Sequence, residues 1–341
     1  MASPAIAALA AAPDRFRLTV LTMFPSVTEY LREQGFTDDV RFVDFIRGGK
    51  PAVFRELGRL RSERFDISVL PYPHNRLEYN GVARVIGARQ RIGFRYQRQR
   101  QRNLPWLNQV VLEEDPTLHV VEENLRWAAY LTGREPAALP DDMLFRSAPA
   151  SQAAADEFIR HHRLGESAPL IGMHPSCNAL KNQQNRCWPP HHFVQFIERM
   201  MAQVPGARFV LFEGPTDAQL AGLIRQETDA VVAARLLPVG VVAALIRRCQ
   251  LFVSNCSGLI HVAAACKVPT VGIYGPTNPT WDGPWKTESI VVTRNLPCSP
   301  CFYYSSRPLD CPARLDYACV RELPVAAVEQ AALKLLKLAP G

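Results

Sequence analysis

The sequence predicts an α/β protein built from two doubly wound, Rossmann-like domains facing a central cleft, and three observations carry that expectation. Short β-branched runs alternate with helical stretches along the chain, the pattern of parallel α/β units. The 341 residues exceed one ordinary core and suit two domains of roughly 150 residues each. From residue 134 the text turns to REPAALPDDMLFRSAPASQ, rich in Pro, Ser and Asp, and reads as a seam. The expected domains are 1–150 and 151–341.

The chain opens with SPAIAALAAAP, a helix with Ser3 as N-cap, Pro4 at the first helical position and Pro13 just past the end. Strands are expected at RLTVLT (17–22), DISVLPY (66–72) and QVVLEE (109–114), with a helix at VFRELGRLRSERF (53–65). A doubly wound domain begins with a central strand, and here no strand precedes the first helix. Such a strand buries about four apolar side chains at roughly 1.5–3 kcal/mol each. That sum is comparable to the ~5–15 kcal/mol that holds a whole domain folded. The expectation is that another segment fills the slot or that the native chain begins upstream of Met1, the second being favoured.

The second half is clearer. Strands are expected at LIGMHP (170–175), ARFVLFEG (207–214), LFVSN (251–255) and TVGIYG (270–275). Helices follow at HHFVQFIERMMAQ (191–203) and TDAQLAGLIRQET (216–228), and LPVAAVEQAALKLLKLA (323–339) closes the chain.

Composition narrows the function classes. At 48% hydrophobic and 21% charged residues the chain reads as globular and soluble. No apolar run approaches the ~18 residues of a membrane span. No Lys or Arg precedes the Ala-rich start, so a secretory signal is not expected. A cytoplasmic chain with reduced thiols follows. The net charge of +7 suits phosphorylated substrates, an anionic membrane face or nucleic acid. Nucleic acid is disfavoured, because the basic run RIGFRYQRQRQR (91–102) lacks regular aromatic interleaving and the cysteine segment has no His and few cations. That run reads as a solvated loop or as a contact for an anionic surface.

The chemistry concentrates in three loops expected on one sheet edge. In VSNCSGLIHVAAA (253–265) a strand ends at Asn255 and a helix of small residues starts near Ser257. Such a hinge exposes backbone N–H groups and about half a unit of positive charge, a seat for phosphate. Cys256 and Ser257 flank it, Gly258 lets a ligand approach, and His261 follows in the first turn. TVGIYGPTNP (270–279) brings Gly275, Pro276, Thr277 and Asn278 to the same edge. GMHPSCNALKNQQNRCWPPHHF (172–193) adds Ser176, Lys181, Arg186 and Trp188. The set suits a diphosphate joined to something flat or sugar-like. A G-x-G-x-x-G fingerprint and a Walker loop are both absent.

A second cluster is Cys298, Cys301, Cys311 and Cys319 in PCSPCFYYSSRPLDCPARLDYAC. A C-x-x-C pair with two later cysteines can complete a tetrahedral zinc or iron site. Reduced thiols, or disulfides in an oxidising compartment, remain open alternatives.

SNCSGLIHVAAACKVPTVGIYGPTNP resembles the signature of family-9 glycosyltransferases, the lipopolysaccharide heptosyltransferase group. Their usual text runs S-N-D-[ST]-G-x-x-H-x-A-A-A, then a strand, then F-G-P-T-x-P. HPSCN…RCWPPHHF, VLFEGPTD, IGARQRIGF and HVVEENL extend the resemblance to almost the whole chain. It implies a GT-B fold and an inverting transferase. The donor, a nucleotide-diphospho-sugar of ADP-heptose type, would bind the C-terminal domain through Ser176, Lys181, Arg186, Trp188, Cys256, Ser257, Gly258, His261, Gly275, Pro276, Thr277 and Asn278. The acceptor would be a lipopolysaccharide core or related anionic glycan on the N-terminal domain. Asn75, Arg76, His119 and Glu123 are the acceptor-side candidates, and peripheral contact with the inner face of the membrane is implied. No cofactor is required for transfer. Four-cysteine sets near 298–319 occur in the family and look structural there.

Three departures stand out. The family's opening strand and Gly-Asp pair, whose Asp is the general base, have no counterpart here, so no catalytic residue is named. The hinge Asp is Cys256, and the Lys two places before the Trp is Arg186. The competing reading is therefore a catalytically impaired relative that binds donor as a binding or assembly protein.

Overall fold

The computed structural model describes residues 1–337 except 75, 99–102, 144, 166–167, 178–179 and 305–306. The chain divides into two compact units, Met1–Met143 with Tyr304–Ser306, and Leu144–Tyr303 with Arg307–Gly341.

The described strands of the first unit are β1 (Thr19–Thr22), β2 (Asp39–Phe42), β3 (Ile67–Val69), β4 (Gln90–Arg95) and β5 (Val110–Glu113). They pair in parallel as two sheets, β1–β2 and β3–β4–β5. β1, β3 and β5 fall within the expected runs; β2 and β4 lie outside them. β4 occupies the start of the basic run, for which the sequence suggests a solvated loop or a contact for an anionic surface. Ile92 and Phe94 are 0% and 1% exposed there. Arg91 donates to the Leu107 and Ala88 carbonyls, and Arg95 pairs with Glu113. Charge at both ends of a strand hides it in the text, because guanidinium groups can serve backbone carbonyls at a sheet rim. Residues 99–102 of the run lie outside the described residues.

The opening helix spans Ser3–Ala10 and buries Ala5, Ala8 and Leu9. Its N-cap is Ala2 with no side-chain cap, not Ser3 as expected. Ser3 and Pro4 both lie inside the first turn, where a missing N–H costs nothing.

The second unit has six described strands: β6 (Leu170–His174), β7 (Arg208–Glu213), β8 (Val231–Arg235), β9 (Leu251–Asn255), β10 (Thr270–Ile273) and β11 (Ser289–Val292). They form one parallel sheet in the order β11-β10-β9-β6-β7-β8. The chain winds from β6 outward to β8, restarts at β9, and winds the other way. The order therefore reverses between β6 and β9, and a crevice opens at the carboxyl ends of such a pair.

Both central strands are buried along their whole length. The helix Pro190–Gln203 covers one face with Phe193, Phe196, Ile197 and Met200, spaced i, i+3, i+4, i+7 and each 0% exposed. Each such side chain contributes about 1.5–3 kcal/mol. No described helix is long and apolar enough to cross a membrane.

The middle of this sheet has no spare room. A Cβ on Gly172 would lie 2.8 Å from Phe252 and 3.1 Å from Cys249 and Phe212. Gly172→Val is expected to lower the unfolding free energy by about 1–3 kcal/mol, read as a lower urea midpoint.

Candidate functional site at the strand switch

The loops after β6, β9 and β10 meet at the reversal point. Asn255, 0% exposed, ties the first two together. Its Oδ1 accepts the Trp188 N–H at 2.9 Å and its Nδ2 donates to the Pro175 carbonyl at 2.6 Å. Trp188 is 1% exposed and donates Nε1–H to the Leu323 carbonyl. It anchors the loop; a role facing ligand is not what this burial offers.

The hinge helix spans Gly258–Ala265 with Ser257 as its N-cap. Ser257 makes no cap hydrogen bond. Its hydroxyl instead meets His174 Nδ1 at 2.8 Å and Ser254 Oγ at 3.1 Å. His174 Nε2 lies 3.1 Å from Asp217 Oδ2, which also accepts the Gly214 N–H at 2.6 Å. Burial pushes the Asp217 carboxyl upward, yet the His174 contact and the Gly214 amide prevail and hold it down at about 2. Nothing lies within 4 Å of where a Cβ on Gly258 would stand, and Gly258 itself is exposed, so the first residue of the hinge helix is uncrowded. His261 lies half-buried one turn in.

Arg186 stands beside the hinge, its guanidinium 3.9 Å from Cys256 Sγ and over the Phe302 ring. Burial opposes its charge, but Cys256, Cys177 and Asp282 raise its pKa overall. The Cys256 thiol is pushed up, chiefly by burial and then by Asp282, so it is not a thiolate nucleophile. It donates to Asp282 Oδ2 at 3.5 Å. A carboxylate thus does stand beside the hinge, supplied by the short helix Pro279–Asp282. Cys177 donates to the Cys256 carbonyl at 3.3 Å. Ser176, 1% exposed, donates to the Cys177 carbonyl. Lys181 sits at a kink with φ 57°, half-buried, its carbonyl accepting the Leu309 N–H.

The loop after β10 is engaged by the fold. A Cβ on Gly275 would come within 2.8 Å of Val320, which explains glycine there by packing. The Pro276 carbonyl accepts the Cys301 and Phe302 N–H groups. Asn278 caps its helix by accepting the Thr280 N–H at 3.1 Å. Thr277 is 1% exposed beside the Cys256 thiol.

Cys298, Cys301, Cys311 and Cys319 line one cavity of about 10 Å³ together with Leu296, Pro276 and Tyr317. All four are free thiols. Burial pushes Cys319 up to about 11. No set of three or more His, Cys, Asp or Glu among the described residues has metal-holding geometry as it stands.

On the first unit the acceptor-side expectations change. His119 is the N-cap of the helix Val120–Thr132, accepting the Val121 N–H inside a capping box with Glu122. Glu123 is 1% exposed, accepts the Asp115 N–H and pairs with Arg126. Both side chains serve the framework, so they are withdrawn as acceptor contacts. Arg76 lies over the Tyr79 ring, and Asn75 is outside the described residues.

This combination, a doubly wound domain with a hinge at its strand switch and a second α/β unit, defines a GT-B protein. The model of Glycosyltransferase family 9 (heptosyltransferase) matches residues 54–310, and the chain belongs to that family. It is 28% identical over 249 residues to lipopolysaccharide heptosyltransferase 2 of Escherichia coli K12, covering 70% of this chain and 68% of that one. It is 28% identical over 151 residues to lipooligosaccharide heptosyltransferase 2 of Haemophilus influenzae, 42% of each chain. The match thus spans less than half of that relative's length. The fold is shared with a solved family-9 transferase from Veillonella parvula, TM-score 0.75 at 19% identity over 98% of this chain and 92% of that one. E. coli ADP-heptose lps heptosyltransferase II gives 0.70 at 18% identity over 98% and 94%.

Asp217 yields a pH prediction. A carboxyl held at about 2 contributes stability present above its ordinary 3.8 and lost as pH falls through about 2. Asp217→Ala is expected to cost about 2 kcal/mol at neutral pH and to flatten the loss of stability between about pH 4 and 2. Urea midpoints across that range check it.

Proposed function

We propose that this chain transfers a heptose-type sugar, with inversion, from an ADP-heptose-like donor to a lipopolysaccharide-core or related glycan acceptor. The observation that carries the proposal is the uncapped hinge at Ser257–Gly258, opening onto the strand switch with Arg186 beside it. Backbone N–H groups and a helix N-terminus favour an oxyanion whose charge grows as the sugar leaves. The part-buried guanidinium adds a positive charge with bidentate geometry. Lys181, Thr277 and His261 complete the donor-side set, and transfer by this route requires no cofactor. The relatives' names, heptosyltransferases acting on lipopolysaccharide or lipooligosaccharide, support the sugar and the acceptor class. Peripheral attachment at the cytoplasmic face of the inner membrane accompanies this acceptor, and Arg76 is its retained contact on the first unit.

The four cysteines are proposed as a structural zinc or iron site. Their chemistry fits a tetrahedral thiolate set, and their shared cavity, about one water in size, lets small side-chain rotations bring them together. The ion would tie 298–301 to 311 and 319 and would take no part in transfer.

The first test supplies purified protein with ADP-heptose and a heptose-deficient core acceptor, reading ADP release and acceptor mass. Transfer is expected. ADP binding without transfer would instead favour the donor-binding relative. Arg186→Ala is expected to weaken ADP binding about 10- to 100-fold with the fold retained, as measured by calorimetry and circular dichroism. Elemental analysis is expected to find about one zinc or iron per chain, lost in Cys298→Ser. Four titratable thiols and no metal would overturn the metal site.

A further inference from the structure

The hinge helix is open to an anion only because its own cap has been drawn elsewhere. A serine at an N-cap ordinarily turns its oxygen onto the N–H groups of the first turn and satisfies one of them. Ser257 holds extended backbone, φ −144° and ψ 175°, as a cap residue does, but its oxygen is not on the turn. It lies against His174 and Ser254. His174 is itself fixed from the far side by Asp217, with both side chains under a tenth exposed. Asp217 is ionised, so Nε2 carries the proton and donates to it. In the neutral ring Nδ1 then accepts the Ser257 proton. The three groups come from three elements: the end of β6, the start of the helix Ala218–Glu227, and the hinge.

We infer that His174, oriented by Asp217, is a positioning residue that withholds the Ser257 hydroxyl from capping the hinge helix and so keeps the helix's first amides available to the donor diphosphate. The inference rests on the donor site proposed above. It assigns His174 and Asp217 no contact with substrate. Their effect passes through one oxygen atom. Release that atom and it competes with phosphate for the same N–H groups. The competition is worth about as much as an ordinary serine cap, a factor of about five in affinity.

The two ring nitrogens can be separated by substitution. A glutamine side chain reaches the Nε2 position and retains the Asp217 bond while giving up the contact to Ser257. An asparagine reaches the Nδ1 position and retains the contact to Ser257. The experiment is calorimetric titration of ADP into the full chain and its variants, with thermal melts as a check on folding. His174→Gln is expected to bind ADP about fivefold more weakly. Adding Ser257→Ala in the same chain is expected to restore most of that loss, because no oxygen is then left to cap the helix. His174→Asn is expected to stay close to the parent and serves if the glutamine variant fails to fold.

Restoration by a second loss is what a merely structural histidine does not give. If the double variant binds no better than His174→Gln, or if His174→Gln binds as the parent does, His174 does not act through Ser257 and the inference is overturned. If instead His174→Asn is as weak as the glutamine variant, the Nδ1 contact is not the one that matters, and the inference falls equally. Failure of the parent chain itself to bind ADP would sink the donor-site reading, and the role of His174 with it; the parent titration therefore distinguishes the two.

Discussion

The hydrogen bonds of one buried amide, Asn255, hold the candidate site together. β6 and β9 are neighbours in the sheet but 80 residues apart in chain, and their loops leave the same edge. Asn255 accepts from Trp188 at the end of one loop and donates to Pro175 at its beginning. A buried amide that lost either partner would leave a polar group unsatisfied at about 1–3 kcal/mol. The loop from 175 to 188 is thereby closed on the hinge. Arg186, two residues before Trp188, lies beside Cys256 in the loop so closed.

A second layer of fixing surrounds this amide. Asp217, His174, Ser254 and Ser257 form a continuous chain of hydrogen bonds under the hinge, drawn from three separated stretches of sequence. Inside a low-dielectric interior such a chain is stable only if every member is satisfied. The depressed Asp217 carboxyl marks how firmly its ionised form is held. Gly258, the first residue of the hinge helix, is exposed above this network. Rigid polar support below and open backbone above is the arrangement that preorganises a site for an anion.

The loop after β10 shows how sequence patterns mix packing with chemistry. In GPTNP, glycine is required by the approach of Val320, proline offers its carbonyl to the cysteine segment, and asparagine caps a four-residue helix. Thr277 alone lies against the hinge cysteine. Most residues of the motif thus act by shaping the loop. On the first unit, His119 and Glu123 likewise serve the framework, His119 by capping its helix and Glu123 by accepting the Asp115 N–H just before it.

The sequence by itself determined the α/β class, the positions of seven strands, the hinge at 254–258 and the clustering of four cysteines, because each depends on local periodicity or on residues close in the chain. It missed β2, four residues with only Val40 buried, β4, whose arginines conceal a short buried centre, and β8 and β11, short strands only partly buried. It placed Ser257 at the hinge but had no means to see His174 and Asp217 behind it, at separations of 83 and 43 residues along the relay. Nor could it show that the carboxylate absent at Cys256 has a neighbour in Asp282. Hydrogen bonds of this kind are made by side chains that meet only when the strand order reverses between β6 and β9. Their partners are set by the sheet's topology, and no local pattern in the chain encodes that distance.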